Sequence, residues 1–212
     1  MKKLCLTSLT GIFVFIAGAI FAQDSIPPDK RTVWISAQSG FEVVSGNVNI
    51  LSSEKIINIS VVTKIRKMGA KYQTDSAYIA DRVKEFNAKK PGEGDAWLMG
   101  WNKEKNNFNP AFIEGFDKIM SKYGIRAASD DASAEYTLII YTLHMMEFMG
   151  KIYVILDGDI VKTKDPQIKL VSLRFPVLNG AKKGQLYYEK YERAYYSAGW
   201  LFGKYFKKKI MN

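Results

Sequence analysis

Two carboxylates and a single histidine are the residues of this sequence whose types and spacing could support catalysis. His144 is the only histidine of the chain, and Asp157-Gly158-Asp159 places two carboxylates on the same side of a predicted strand. Paired carboxylates can perform acid–base chemistry or bind a hard cation. The sequence therefore offers one hydrolase hypothesis, in which Asp157 and Asp159 act together.

The surroundings of these residues favour a structural role. His144 lies within a run of strand-forming residues, which is typical of a hydrogen-bonded histidine in a core or at a sheet edge. An EF-hand loop starting at Asp157 needs an oxygen ligand at its fifth position and a glutamate at its twelfth, where the sequence has Val161 and Ile168. We expect no catalytic residue, no metal site and no cofactor, and we predict that the protein is not an enzyme.

Aromatic residues supply the candidate binding surfaces. Trp97 and Trp101 are one helical turn apart and could form a stacking platform for a sugar ring, although aromatic pairs at this spacing more often pack in a core. The C-terminal segment carries six tyrosines, which is more than one buried stripe requires. We therefore identify Tyr191, Trp200 and Lys207 as a candidate docking face for a protein or an anionic membrane surface.

The first 22 residues have the layout of a secretory signal peptide. Two lysines precede a long apolar run, and Ala22 is a small residue before a polar stretch. Cleavage after Ala22 would export the chain to the periplasm or the cell surface, and an uncleaved membrane anchor is the alternative. Cys5, the one cysteine, lies in the signal, so disulfides and cysteine zinc sites are not expected in the exported chain.

The chain is basic, with a formal net charge of +10 at pH 7. Most of its lysines are scattered along the sequence, which is typical of a solvated surface, and we expect no nucleic-acid partner. The exception is the C-terminal group, where a positive surface could attract anionic lipid heads or acidic polymers. Its members are Lys204, Lys207, Lys208 and Lys209.

Hydrophobic spacing predicts a linker over residues 23–31 and a single domain over residues 32–212. The domain has the order strand, three helices, three-strand meander and C-terminal helix, which indicates a two-layer α+β fold with a mainly antiparallel sheet. Gly199 and Gly203 in the last helix would permit a close approach to the sheet. The predicted boundaries are Lys55 to Arg66 for the strand, Thr74 or Asp75 to Pro91 for the first helix, Asp95 for the start of the second, Asn109-Pro110 to Gly124 for the third, and about Tyr188 for the start of the last.

The segment from Ala134 to Val161 is predicted to form the centre of this sheet. Two runs rich in β-branched and aromatic residues meet at Gly150-Lys151, which is typical of a hairpin. Both faces of the first run are largely apolar, so we expect this strand to be covered on both sides.

Three short motifs are similar to those of a group of exported bacterial proteins. From Lys55 to Lys209 the layout also resembles envelope lipoprotein domains of the curli-secretion and penicillin-binding-protein-activator type. The resemblance implies a strand–helix–meander–helix module that binds other envelope proteins, and none of its motifs is catalytic. The motifs are Ala134-Glu-Tyr-Thr-Leu, Gly94-Asp-x-Trp97 followed by Trp101, and Ser197-Ala-Gly-x-Leu-x-Gly-Lys.

These observations together predict an exported, non-enzymatic protein-interaction module of the cell envelope. Its expected partner is another envelope protein, with an anionic membrane surface or a cell-wall glycan as alternatives. A glycan-binding module that uses Trp97 and Trp101 is the alternative function, and a hydrolase that uses Asp157 and Asp159 is a further one.

Overall fold

A computed structural model describes residues 41–148, 151–180 and 189–210 and shows an α+β fold, as predicted. The predicted signal peptide, the linker and the turn at Gly150 lie outside these residues. In the described part, three α-helices pack with a six-stranded mixed sheet. The strands are β1 (Glu42–Ser45), β2 (Ile56–Met68), β3 (Arg126–Ala128), β4 (Tyr136–Phe148), β5 (Lys151–Lys162) and β6 (Asp165–Gly180), and the helices are α1 (Asp75–Lys89), α2 (Glu93–Met120) and α3 (Glu189–Ile210).

The sheet has the strand order β1-β6-β5-β4-β2-β3. The predicted meander of β4, β5 and β6 is antiparallel throughout, and β1 extends it at one edge. At the other edge β2 pairs in parallel with both β3 and β4. Parallel neighbours need a long crossover, and here α1 and α2 form the connection from β2 to β3 and β4.

Strand β4 has one buried face and one partly exposed face, so the prediction that it is covered on both sides is wrong. Leu138, Ile140 and Thr142 are buried, whereas Ile139 and Tyr141 between them are only half-buried. The helices α2 and α3 pack on the buried face. The other face carries polar residues that are neighbours across the strands. Such residues are stabilised by hydrogen bonds with each other or with water, which a second apolar layer would not supply.

Helix α1 begins and ends where the sequence predicts. The side chain of Thr74 accepts a hydrogen bond from the backbone N–H of Ala77, which is the expected capping contact. The helix ends at Lys89, just before Pro91. Gly124 also has its expected role, because it adopts a left-handed conformation (φ 74°) after the last turn that follows α2.

Residues 93–120 form one continuous helix, although the sequence predicts two helices with a new start at Asn109-Pro110. Asn109 does not cap a helix. Its side-chain oxygen accepts a hydrogen bond from the backbone N–H of Val61 in β2 at 3.0 Å, and its amide group lies 3.2 Å from the hydroxyl of Ser129. Burial of the aromatic stripe on both sides of Pro110 outweighs the one backbone hydrogen bond that the proline removes. The stripe consists of Trp101, Phe108, Phe112 and Phe116.

Helices α2 and α3 run parallel and touch through their backbones. A β-carbon added at Gly115 would lie 2.0 Å from the carbonyl oxygen of Tyr196, and one added at Gly199 would lie 2.0 Å from that of Phe112. Only glycine fits at such a distance, so these two positions fix the helix crossing. The close approach predicted for Gly199 is therefore made to α2 and not to the sheet.

None of the helices in the described residues is long and apolar enough to cross a membrane.

We expect Gly199→Ala to lower the free energy of unfolding by about 2 kcal/mol, because overpacking costs roughly 1–3 kcal/mol. The added methyl group would collide with backbone atoms of α2, which cannot move aside as a flexible side chain can. Gly203→Ala is the matched control, since its added carbon would meet its nearest neighbours at 3.1 Å, and we expect a smaller loss. Urea denaturation measures both. Alanine stabilises a helix relative to glycine where nothing obstructs its side chain. A higher urea midpoint for Gly199→Ala than for the parent protein would therefore contradict the close contact between the two backbones.

Candidate functional site

The two candidate tryptophans lie in the core. Trp97 is 4% exposed and Trp101 is 1% exposed, and their rings stack on each other with centroids 6.0 Å apart. Phe86 stacks on the Trp97 ring, and Tyr191 packs its edge against Trp101. Neither ring has a free face for a sugar, so the structure contradicts the exposed stacking platform. The helical spacing of these residues reflects packing between helices.

Tyr191 is also buried, at 1% exposure, which removes it from the candidate docking face. Tyr195 is buried as well, and its hydroxyl lies 2.6 Å from the Thr142 hydroxyl of β4. Burial raises the pKa of Tyr195 above its ordinary value. The tyrosines that seemed too many for one stripe are needed because α3 packs against both α2 and the sheet. Residues 187 and 188, two further tyrosines of the six, lie outside the described residues.

Glu104 is a buried residue that no sequence motif marks. It is 3% exposed, and its Oε1 atom accepts hydrogen bonds from the backbone N–H groups of Tyr191 and Glu192, both at 3.2 Å. These amides belong to the first turn of α3, whose positive end favours a carboxylate. No local pattern could have revealed this contact, because its two sides are almost 90 residues apart in the sequence.

We expect Glu104→Ala to lower the free energy of unfolding by about 2 kcal/mol, because a buried unpaired donor costs roughly 1–3 kcal/mol. Glu104→Gln keeps an oxygen acceptor and loses only the charge, so its loss should be smaller. Urea denaturation of both variants measures the difference. Equal losses in the two variants would show that a neutral acceptor at this position contributes nothing, contrary to the prediction.

His144 holds the turn after β2. It is buried, its Nε2 lies 2.9 Å from the carbonyl oxygen of Gly69, and its ring stacks on Tyr72 with centroids 4.3 Å apart. Tyr72 has a positive φ of 53°, which is uncommon for a residue other than glycine. Burial lowers the pKa of His144, and the hydrogen bond with Gly69 offsets part of that effect. The histidine thus has a structural contact and no nucleophile beside it among the contacts described.

The depressed pKa of His144 predicts a loss of stability in acid. Because the unfolded chain binds the proton more readily, this contribution is fully present above the unfolded-state pKa of about 6.5 and is lost as the pH falls through the lower folded-state pKa. We expect His144→Gln to lose less stability than the parent protein between pH 7.5 and pH 5. Urea midpoints at the two pH values provide the test, and equal losses would refute it.

Asp157 and Asp159 are held in ion pairs across β5 and β6. The Oδ1 atom of Asp157 lies 2.9 Å from Nε of Arg174. Asp159 accepts a hydrogen bond from the Ser172 hydroxyl at 2.8 Å and pairs with the Lys169 ammonium at 2.6 Å, which raises the pKa of Lys169. Each carboxylate has its own cationic partner, so the two are not arranged to share a proton. In the described ranges no group of three or more histidine, cysteine or acidic side chains is placed to hold a metal ion.

The remaining candidates are Trp200, in the middle of α3, and Lys207, near its C-terminal end. Trp200 is partly buried and Lys207 is exposed. The Nζ atom of Lys204 lies 4.2 Å from the centroid of the Trp200 ring, and that of Lys207 lies 5.2 Å from the Tyr123 ring. We call the surface that these residues share the basic end, and it consists of Lys118, Lys122, Tyr123, Lys204 and Lys207, with Trp200 beside Lys204.

The four lysines of the basic end carry more charge than the helix ends can offset. Within the described residues, none of them forms an ion pair with a carboxylate. The C-terminal ends of α2 and α3 each supply roughly half a negative charge, so together they offset about one lysine. The surface is therefore strongly positive. Sequence reasoning found its C-terminal part but missed Lys118 and Lys122, which only the parallel packing of the helices brings to the same place.

Comparisons with known proteins do not show which family this chain belongs to. No protein-family model and no curated protein sequence matches it. The solved structures that are similar in part include a PelC dodecamer from Paraburkholderia phytofirmans and a single-residue variant of it in another space group. Each is 9% identical and covers 78% of this chain, and the alignments span 96% and 95% of those chains with a TM-score of 0.36. A likeness at this score carries no argument about fold or function.

Proposed function

We propose that this protein is an exported, non-enzymatic interaction module whose basic end binds an acidic surface of another envelope protein. The observation that carries the proposal is the group of four lysines that have no carboxylate partner in the described residues, two of which lie over the rings of Trp200 and Tyr123. Charge of one sign concentrated on one surface steers an oppositely charged partner and fixes its orientation.

The packing of α3 favours a protein partner over a membrane surface. A helix that lies in a membrane interface inserts an apolar face into the lipid. The apolar face of α3 is already used inside the molecule, because Ala198, Phe202 and Phe206 are fully buried. The most exposed side chains of α3 in the described residues are those of its charged face, including Lys204 and Lys207.

The sequence of the first 22 residues supports the location. Its two lysines, apolar run and small residue at the exit are the features of a secretory signal, so the proposed partner is a protein of the envelope.

A photoreactive amino acid placed at Trp200 in the full-length chain tests the proposal in cells of the native host. We expect one discrete protein adduct, with the crosslinked segment of the partner mapping to a region rich in Asp and Glu. Lys204→Glu combined with Lys207→Glu should abolish the adduct, and higher salt during capture from isolated envelopes should weaken it.

The matched control combines Lys84→Glu with Lys103→Glu, which changes the net charge equally at exposed lysines of α1 and α2. This control should leave the adduct unchanged. Crosslinks to lipid alone, an adduct to a segment without acidic residues, or equal loss in both double variants would each overturn the proposal.

A further inference from the structure

We infer that the basic end contains a specific subsite, which takes one apolar side chain of the partner with carboxylates on both sides of it. The inference rests on the proposed function and adds the chemistry of the bound segment. Its basis is a depression of about 170 Å³ between α2 and α3. The lining residues are Lys118, Ile119, Lys122, Tyr123, Lys204 and Lys207.

The floor of the depression is apolar. Ile119 is partly buried and packs against the core, and Tyr123 is a large aromatic residue that remains 36% exposed. An exposed aromatic ring beside an aliphatic side chain gains free energy when an apolar group covers it. A ligand that binds by charge alone would gain nothing from this apolar floor. The floor therefore favours a ligand with an apolar side chain over one that carries only negative charge.

The rim of the depression is cationic on both sides. Lys118 and Lys122 are four residues apart near the end of α2, and Lys204 and Lys207 are three residues apart on α3, so each pair lies on one side of its chain segment. Like charges at such spacings repel each other in the free protein, and carboxylates placed between them relieve that repulsion. The two rims thus select acidic residues before and after the anchor.

Two of the rim lysines are positioned by aromatic rings. Lys207 lies over Tyr123 and Lys204 over Trp200, which limits the motion of both side chains before the partner binds. A preorganised rim loses less conformational entropy on binding than free lysines do.

The size of the depression decides between ligand classes. Small-molecule sites usually have about 300–1,000 Å³, so this volume suits a single side chain and not a drug-sized compound. We therefore assign the depression to a short acidic protein segment with one hydrophobic residue inside it.

Two synthetic peptides provide the test with the full mature chain. One is a fluorescent acidic peptide of glutamates with a central leucine, and the other has alanine in place of the leucine. We expect the leucine peptide to bind about tenfold more tightly by fluorescence anisotropy, which is the factor for roughly half of a buried leucine side chain.

Substitutions then locate the effect. Tyr123→Ala should abolish the difference between the two peptides, whereas Met99→Ala, at an exposed apolar residue of α2, should leave it unchanged. Lys118→Glu combined with Lys122→Glu should weaken both peptides. Circular dichroism confirms that each variant is folded, and the comparison of the two peptides on the parent protein needs no substitution.

The outcomes separate this inference from the proposed function. Equal affinity for both peptides, with both lost on charge reversal, overturns the subsite and leaves the acidic docking surface in place. Displacement of the leucine peptide by millimolar inorganic phosphate as effectively as by the alanine peptide also overturns it, since the site would then recognise any anion. If neither peptide binds and the envelope crosslink is absent, both proposals fail.

Discussion

The structure depends on one contact, the crossing of α2 and α3 at Gly115 and Gly199. Because neither position has a side chain, the two backbones touch, and each glycine faces a carbonyl oxygen of the other helix. This distance brings the aromatic residues of both helices into direct contact along the whole crossing, including Phe116 on Phe202 and Phe108 on Tyr195. Separation of the helices by even one methyl group would loosen all of these contacts, since protein cores are close-packed.

Polar groups then fix the position of α3 along this crossing. Glu104 binds the first turn of the helix, and Tyr195 reaches Thr142 of the central strand. Each of these polar groups is buried, so a shift of α3 by one turn would leave it without its partner at a cost comparable to that of a lost hydrogen bond. Aromatic packing supplies most of the free energy in this region, and the polar contacts make the arrangement unique.

The parallel direction of the two helices also creates the basic end. Both C-terminal ends lie at the same end of the molecule, so lysines from two distant parts of the sequence form one surface around Ile119 and Tyr123. Antiparallel helices would have placed Lys118 and Lys207 at opposite ends. The basic end is therefore a product of the same crossing that forms the core.

The α+β class, the limits of α1 and the order of the meander can be read from the sequence alone, because they follow from local periodicity and capping residues. The sequence did not determine that α2 continues through Pro110, since the contact of Asn109 with β2 and the burial of the aromatic stripe are tertiary effects. Nor could periodicity show which aromatic residues are exposed. Trp97, Trp101 and Tyr191 have the residue types of a binding surface, and only the packing of α2 against its neighbours decided that they belong to the core, because burial depends on what covers a residue and not on its spacing.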